Sequence, residues 1–150
     1  MKKLLVVLVL LLAAVPAVRA QDAEREAVKA AVLDYVEALY QVDTARVVRS
    51  VHPQLAKRGF SLRGSAYGES TMSYAQLMAL TKTWNKAGRV DPDKAPKEVI
   101  VYDVQDQTAI AKLNASWGQD YLMLAKYNGK WKITQVLWQS YPPAKTSQRN

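Results

Sequence analysis

Trp117-Gly118-Gln119-Asp120-Tyr121-Leu122-Met123-Leu124-Ala125-Lys126-Tyr127-Asn128-Gly129-Lys130-Trp131-Lys132-Ile133-Thr134-Gln135-Val136-Leu137-Trp138 is the stretch that decides the fold. Its apolar residues recur at every second position, which is the period of a strand with one face buried. Asn128-Gly129 sits between the two alternating runs, and that dipeptide is the strongest short hairpin signal because both residues accept positive φ. Upstream, Thr108 to Trp117 alternates in the same way, and Gly118-Gln119 suits a second two-residue turn. With Val99 to Val104 added, four consecutive strands are predicted: Val99–Val104, Thr108–Trp117, Asp120–Tyr127 and Trp131–Trp138.

Threading both turns assigns the faces, because directly paired residues share one. Trp117 then lies opposite Asp120, Leu113 opposite Leu124, Leu124 opposite Ile133, and Leu122 opposite Gln135. One face reads Ala109, Ala111, Leu113, Ala115, Trp117, Leu122, Leu124, Trp131, Ile133 and Leu137, and it needs helices to cover it. The other face carries Ile110, Lys112, Asn114, Tyr121, Met123, Tyr127, Val136 and Trp138. A face so mixed suits a subunit contact, where Tyr, Trp and Met are enriched.

The covering helices come from the first half of the chain. Val28, Ala31, Val32, Tyr35, Val36, Leu39 and Tyr40 recur at helical spacing from Ala23 to Tyr40, with Asp22 available as the cap. Asp43 or Thr44 caps a second, short helix through Val47, Val48 and Val51, which His52-Pro53 ends because a residue before proline resists the helical conformation. Ser73 with Gln76 forms a capping box, and Met72 with Leu77 the accompanying staple, so a third helix is predicted from Tyr74 to about Lys86. Between them, Leu55 to Thr71 holds Gly59, Gly64 and Gly68 without helical period and reads as one or two short strands or an irregular flap. Ala87 to Lys97 is a loop, and Pro142 to Asn150 a polar tail expected to be disordered.

The first twenty residues have a different character. Met1-Lys2-Lys3 precedes 12 apolar residues, Leu4 to Val15, then Pro16 and the small-residue end Ala17-Val18-Arg19-Ala20. Crossing a bilayer takes about 20 apolar residues, so this is the layout of a cleavable signal peptide, with cleavage expected after Ala20 and no stable membrane anchor. Removing 1–20 takes three of the 21 cations and none of the 13 acids, which lowers the formal charge from +8 to +5. The remaining basic residues are scattered, and an exported chain meets little nucleic acid, so no nucleic-acid partner is expected. Zero Cys excludes disulfides and thiolate chemistry. One His without clustered carboxylates argues against a metal, and no cofactor is expected. Asn114-Ala115-Ser116 has the form of a glycosylation site but lies inside a predicted strand.

Four segments carry a family resemblance: Asp34-Tyr35-Val36-Glu37-Ala38-Leu39-Tyr40, His52-Pro53-Gln54-Leu55-Ala56-Lys57-Arg58, Trp117-Gly118-Gln119-Asp120-Tyr121-Leu122, and Asn128-Gly129-Lys130-Trp131-Lys132-Ile133 with Val136-Leu137-Trp138. Across residues 24–141 the chain resembles the nuclear transport factor 2-like superfamily, in its bacterial putative lumazine-binding branch. The resemblance implies an α+β cone, with helices packed on a curved antiparallel sheet, a conical pocket, and a homodimer. It also brings the enzymes of that superfamily into view. Ketosteroid isomerases use a pocket Tyr on the first helix, which Tyr35 resembles, together with an Asp base after the second helix. Here no carboxylate lies between Asp43 and Glu69, and Lys57 would have to be desolvated to serve as the base.

Five residues are therefore candidates for ligand binding: Tyr35, His52, Trp117, Asp120 and Gln135. The threading puts Asp120 and Gln135 on the apolar face near Trp117, where polar groups must be paired or line a cavity, although Asp120 at a strand end could equally be a solvated turn residue. His52 could act as acid, base or ligand, or cap the end of the second helix. Trp84 reads as core packing, and Lys57, Arg58 and Arg63 as solvated surface. Ala109, Ala111 and Ala115 leave volume on the inner face, unless the helices close over them. The expected function is an exported, non-catalytic module holding a small, partly aromatic molecule. The alternatives are an isomerase or dehydratase using Tyr35, His52 and Asp120, and an interaction domain with a vestigial pocket.

Overall fold

The computed structural model describes residues 2–142, with side chains from Ala20 onward. The side chains of the expected leader up to residue 19 and all but the first residue of the expected tail lie outside the described residues. Helix α1 (Lys2–Gln41) runs unbroken past Ala20, so Asp22 lies inside it and does not cap it. Val28, Val32, Tyr35, Val36, Leu39 and Tyr40 form its buried stripe. The helix stops at Val42, which adopts φ 57°, and the Asp43 amide turns back onto the Ala38 carbonyl at 2.9 Å. Asp43 then caps α2 (Thr44–Ser50) by accepting from the Ala45 amide.

The glycine-containing stretch that follows is a long hairpin. β1 (Val51–Arg63) and β2 (Ala66–Met72) pair antiparallel around a turn at Gly64, whose φ is 63°. His52 consequently stands in a strand and caps no helix; its Nδ1 accepts from the Gln54 amide. The capping box of Ser73 and Gln76 is present and opens α3 (Tyr74–Thr81). That helix ends well short of Lys86. Past Thr81 the chain loosens into turns, because the buried Asn85 donates its amide to the carbonyls of Tyr40 and Val90 and accepts from the Val90 amide, tying this segment to the end of α1.

β3 (Lys97–Val104), β4 (Thr108–Ala115), β5 (Gly118–Tyr127) and β6 (Lys130–Ser140) complete a six-stranded sheet in the order β2-β1-β6-β5-β4-β3. Every neighbouring pair is antiparallel except β1 and β6, which run parallel. The three helices pack on one face of this curved, mostly antiparallel sheet, which is the expected α+β architecture.

Two registers differ from the threading. The β4–β5 turn is Ser116-Trp117, with Ala115 opposite Gly118 and Leu113 opposite Asp120. Gly118 is needed elsewhere: its φ is 147°, and a Cβ there would sit 2.0 Å from the Gln139 carbonyl oxygen. Because the shift is even, the inner face of β4 and β5 is unchanged. The β5–β6 pair starts as threaded, with Tyr127 opposite Lys130 and Leu124 opposite Ile133, but Met123 then faces Gln135 and Leu122 faces Val136. Thr134 is the extra residue of a β-bulge, held by its hydroxyl donating to the Met123 carbonyl at 3.1 Å. Beyond the bulge the faces of β6 are reversed. Gln135 and Leu137 point outward and are exposed, while Val136 and Trp138 point into the domain.

Candidate functional site

Asp120 faces inward from the start of β5 and has no exposed surface. A buried carboxylate is costly unless its lone pairs are used, and here they are. Oδ2 accepts from the Tyr35 hydroxyl at 3.0 Å, and Oδ1 accepts from Trp117 Nε1 at 3.0 Å. The third member of the cluster is Lys57, on the inner side of β1, which donates to the Tyr35 hydroxyl oxygen and holds its ammonium 3.8 Å from Asp120 Oδ2. Lys57 is nearly as buried as its partners, with 8% of its surface exposed. Its nitrogen also lies 5.2 Å from the Tyr35 ring centre and 5.5 Å from that of Trp138.

Burial is the largest influence on both titratable neighbours of Asp120. It pushes the Lys57 pKa below the ordinary lysine value, against the opposing pull of the Asp120 charge. It raises Tyr35 well above the ordinary phenol value, and Asp120 adds to that shift by its charge and by the hydrogen bond. The cluster therefore favours states with little net charge.

An aromatic wall leans on this cluster. Trp117 meets Tyr35 edge to face at 6.3 Å and Trp84 at 5.4 Å, and Tyr40 stacks at a tilt on Trp84 at 5.7 Å. Tyr40 also fixes the turn that carries Trp117, since its hydroxyl donates to the Pro96 carbonyl and accepts from the Ser116 amide. Trp138 stands directly opposite Gly59 of β1, and a Cβ on Gly59 would fall 2.1 Å from the indole Cδ1. The absent side chain is what admits the ring.

Trp84, Trp117 and Trp138, together with Leu39, Met72, Leu77, Leu80 and Lys57, line a half-open cavity of about 120 Å³. A larger open groove of about 640 Å³ runs over Arg58, Ile110, Tyr121, Met123, Gln135 and Leu137 and reaches Lys57, Met72 and the start of α3. No indole lines it, whereas three indoles stand beside Lys57 in the smaller cavity, which is therefore the candidate site.

Of the five residues singled out in the sequence, Tyr35, Trp117 and Asp120 meet as expected. Gln135 does not join them, because the bulge turns it to the outer face. His52 stacks on Tyr127 at 4.4 Å, and Tyr127 stands seven residues along β5 from Asp120, roughly 24 Å away. The cavity is also not over the inner-face alanines: α1 packs against β3 and β4, and Ala109, Ala111 and Ala115 are closed into the core. Lys57 and Trp138 are the residues that sequence reasoning missed. A solvated position, the expectation from sequence for both cations, holds for the exposed Arg58 paired with Glu69 but not for its neighbour Lys57. The alternation Leu55-Lys57-Gly59 against Ala56-Arg58-Phe60 carried the signal, and three glycines in the segment obscured it.

Residues 23–139 match the family described as putative lumazine-binding. No curated protein matches the chain. Among solved structures, an NTF2-like protein of unknown function from Shewanella baltica OS155 is similar at TM-score 0.63 and 16% identity, over 80% of this chain and 95% of that one. A second NTF2-like protein of unknown function, from Silicibacter pomeroyi DSS-3, gives 0.57 at 16% identity over 77% and 94%. A domain of unknown function with a cystatin-like fold from Nostoc punctiforme PCC 73102 gives 0.53 at 12% identity over 79% and 78%. Likeness at such identities speaks for the fold.

Proposed function

We propose that this chain, which belongs to the putative lumazine-binding family of the nuclear transport factor 2-like superfamily, is an exported, non-catalytic module that binds one small aromatic molecule in its inner cavity. The observation that carries this reading is the wall of three indoles around an apolar space with a single amine on it. Small-molecule sites usually have this form, apolar with a few polar groups that fix orientation. Volume narrows the occupant. A dry cavity of roughly 150 Å³ accommodates benzene, so about 120 Å³ suits a single ring, and a fused heterocycle or a steroid would extend beyond the space between the tryptophans.

Tryptophan emission gives a direct test, because three of the four tryptophans ring the cavity. Toluene and benzaldehyde are expected to quench the mature protein saturably, and Trp117→Ala to weaken that binding by about 1–3 kcal/mol, the scale of aromatic stacking. Absence of saturable quenching by either compound rejects the reading. The isomerase or dehydratase alternative is disfavoured by the distance of His52 from Asp120 and by the engagement of both Asp120 oxygens. Export rests on the Val18-x-Ala20 end of the leader. Among the described residues no helix is long and apolar enough to cross a membrane.

A further inference from the structure

Lys57 is the one ionisable side chain on the wall of the inner cavity, so a polar atom of any occupant has that amine to meet. Charge counting selects the kind of atom. Asp120 already stands 3.8 Å from the amine and supplies the one negative charge that balances it. A carboxylate ligand would put a second anion beside a single cation in apolar surroundings, at the full cost of an uncompensated buried charge. A neutral carbonyl adds no charge and offers an acceptor.

The three side chains are also connected in series. Lys57 donates to the Tyr35 oxygen, and the Tyr35 hydroxyl donates to Asp120 Oδ2 at 3.0 Å. A proton passed along this line, from the ammonium to the phenol oxygen while the phenol proton moves to the carboxylate, converts a buried ion pair into a free amine and a neutral acid. The net charge of the three side chains stays at zero throughout.

Resting on the pocket reading, we propose that Lys57 captures neutral single-ring aldehydes and ketones as a reversible imine, with Tyr35 and Asp120 carrying the proton. The free amine adds to the carbonyl carbon and forms the new C–N bond, giving a carbinolamine. Its hydroxyl leaves with the proton held by Asp120, so one water is released and a protonated imine remains beside the regenerated carboxylate. Amine, acid and carbonyl become iminium, carboxylate and water, with no oxidant or reductant. The direction of the Lys57 shift, downward through burial, agrees with an amine that gives up its proton more readily than an exposed lysine. Tyr35, raised by the same burial, keeps the hydroxyl through which the proton passes.

The mature protein incubated with benzaldehyde and sodium cyanoborohydride near neutral pH traps any imine as a stable secondary amine, which peptide mapping locates. An ordinary lysine is a free amine in only about one molecule in 2,500 at pH 7. Lys57 is therefore expected to be labelled about tenfold or more faster than exposed lysines such as Lys82 or Lys86, and toluene is expected to suppress labelling at Lys57 alone. Lys57→Met should lose the toluene-sensitive label, while the wild-type map decides the matter even if that variant does not fold. Labelling spread over the exposed lysines without preference for Lys57 overturns the capture, as does tighter binding of benzoate than of benzaldehyde. If toluene quenches and Lys57 stays unlabelled, only the capture fails; if neither compound quenches and no preferred label forms, the pocket reading fails with it.

Discussion

Gly59 and Trp138 share one inner-face position, the glycine leaving room that the indole fills. Gly59→Ala forces the ring away from β1, because no rotation removes a contact of 2.1 Å to the indole while Trp138 stays in place. We expect an overpacking cost of about 1–3 kcal/mol in urea unfolding, together with altered tryptophan emission; unchanged stability and spectrum would remove Trp138 from the cavity wall. Lys57 makes a second residue-level prediction. The unfolded chain holds the Lys57 proton up to the ordinary value near 10.5, while the folded protein releases it earlier, so stability rises with pH through the window below 10.5. Tyr35 acts in the opposite sense: its folded value lies above 10.0, so the native state keeps a proton that the unfolded chain loses, and stability falls as pH climbs past 10.0. Urea midpoints from neutral pH to about pH 11 should show both limbs in the wild type and only the fall in Lys57→Met. A rise that persists in that variant assigns it to another group. Residue chemistry was partly legible in the sequence. Asp120, Tyr35 and Trp117 were found from periodicity, whereas Lys57 looked like any surface cation, since its burial depends on β6 and β2 flanking β1.

At the level of elements, local signals were read well and counting was read poorly. Ser73 with Gln76, Asp43 as a cap, and Asn128-Gly129 at φ 50° and 74° are all satisfied within a few residues of chain, so no tertiary context was needed to see them. The bulge at Thr134 left no such mark, because inserting a residue into β6 changes the faces without changing the local alternation of residue types. Its consequence is testable by deletion of Thr134, which removes the extra residue and leaves Ile133 and Gln135 as consecutive partners of Leu124 and Met123. Gln135 and Leu137 then stay outward, and Val136 and Trp138 stay inward. The deletion variant is therefore expected to keep its quenching by toluene. Loss of that quenching would show that the bulge itself, and not only the order of faces beyond it, builds the site.

The molecule as a whole carries two apolar features back to back, the inner cavity and the outer sheet face. Exposed Ile110, Tyr121, Met123 and Leu137 form an apolar tract on the outer sheet face, with Gln135 and Leu137 of β6 in the places that Val136 and Trp138 were expected to hold. We expect a homodimer through this face. Light scattering on the wild type and on Met123→Glu checks it, because a charge at the centre of an apolar contact costs several kcal/mol, enough to separate subunits at micromolar concentration. A wild type monomeric at high micromolar concentration rejects that surface. Intact mass of the exported protein is expected to begin at Gln21, and a membrane-retained product carrying residues 1–20 would contradict cleavage. The sheet order adds a constraint on how such a chain matures. β6, the last strand made, lies between the β1–β2 hairpin and the β3–β5 meander, and pairs with both. A chain emerging amino end first thus holds two separate half-sheets, one bearing Lys57 and the other Asp120, with bare edges that invite mispairing until the carboxyl-terminal segment arrives. Biogenesis is then all-or-none: a ribosomal stall or a protease cut before Lys130 leaves two unpaired half-sheets, and quality control meets either the whole sheet or neither half joined.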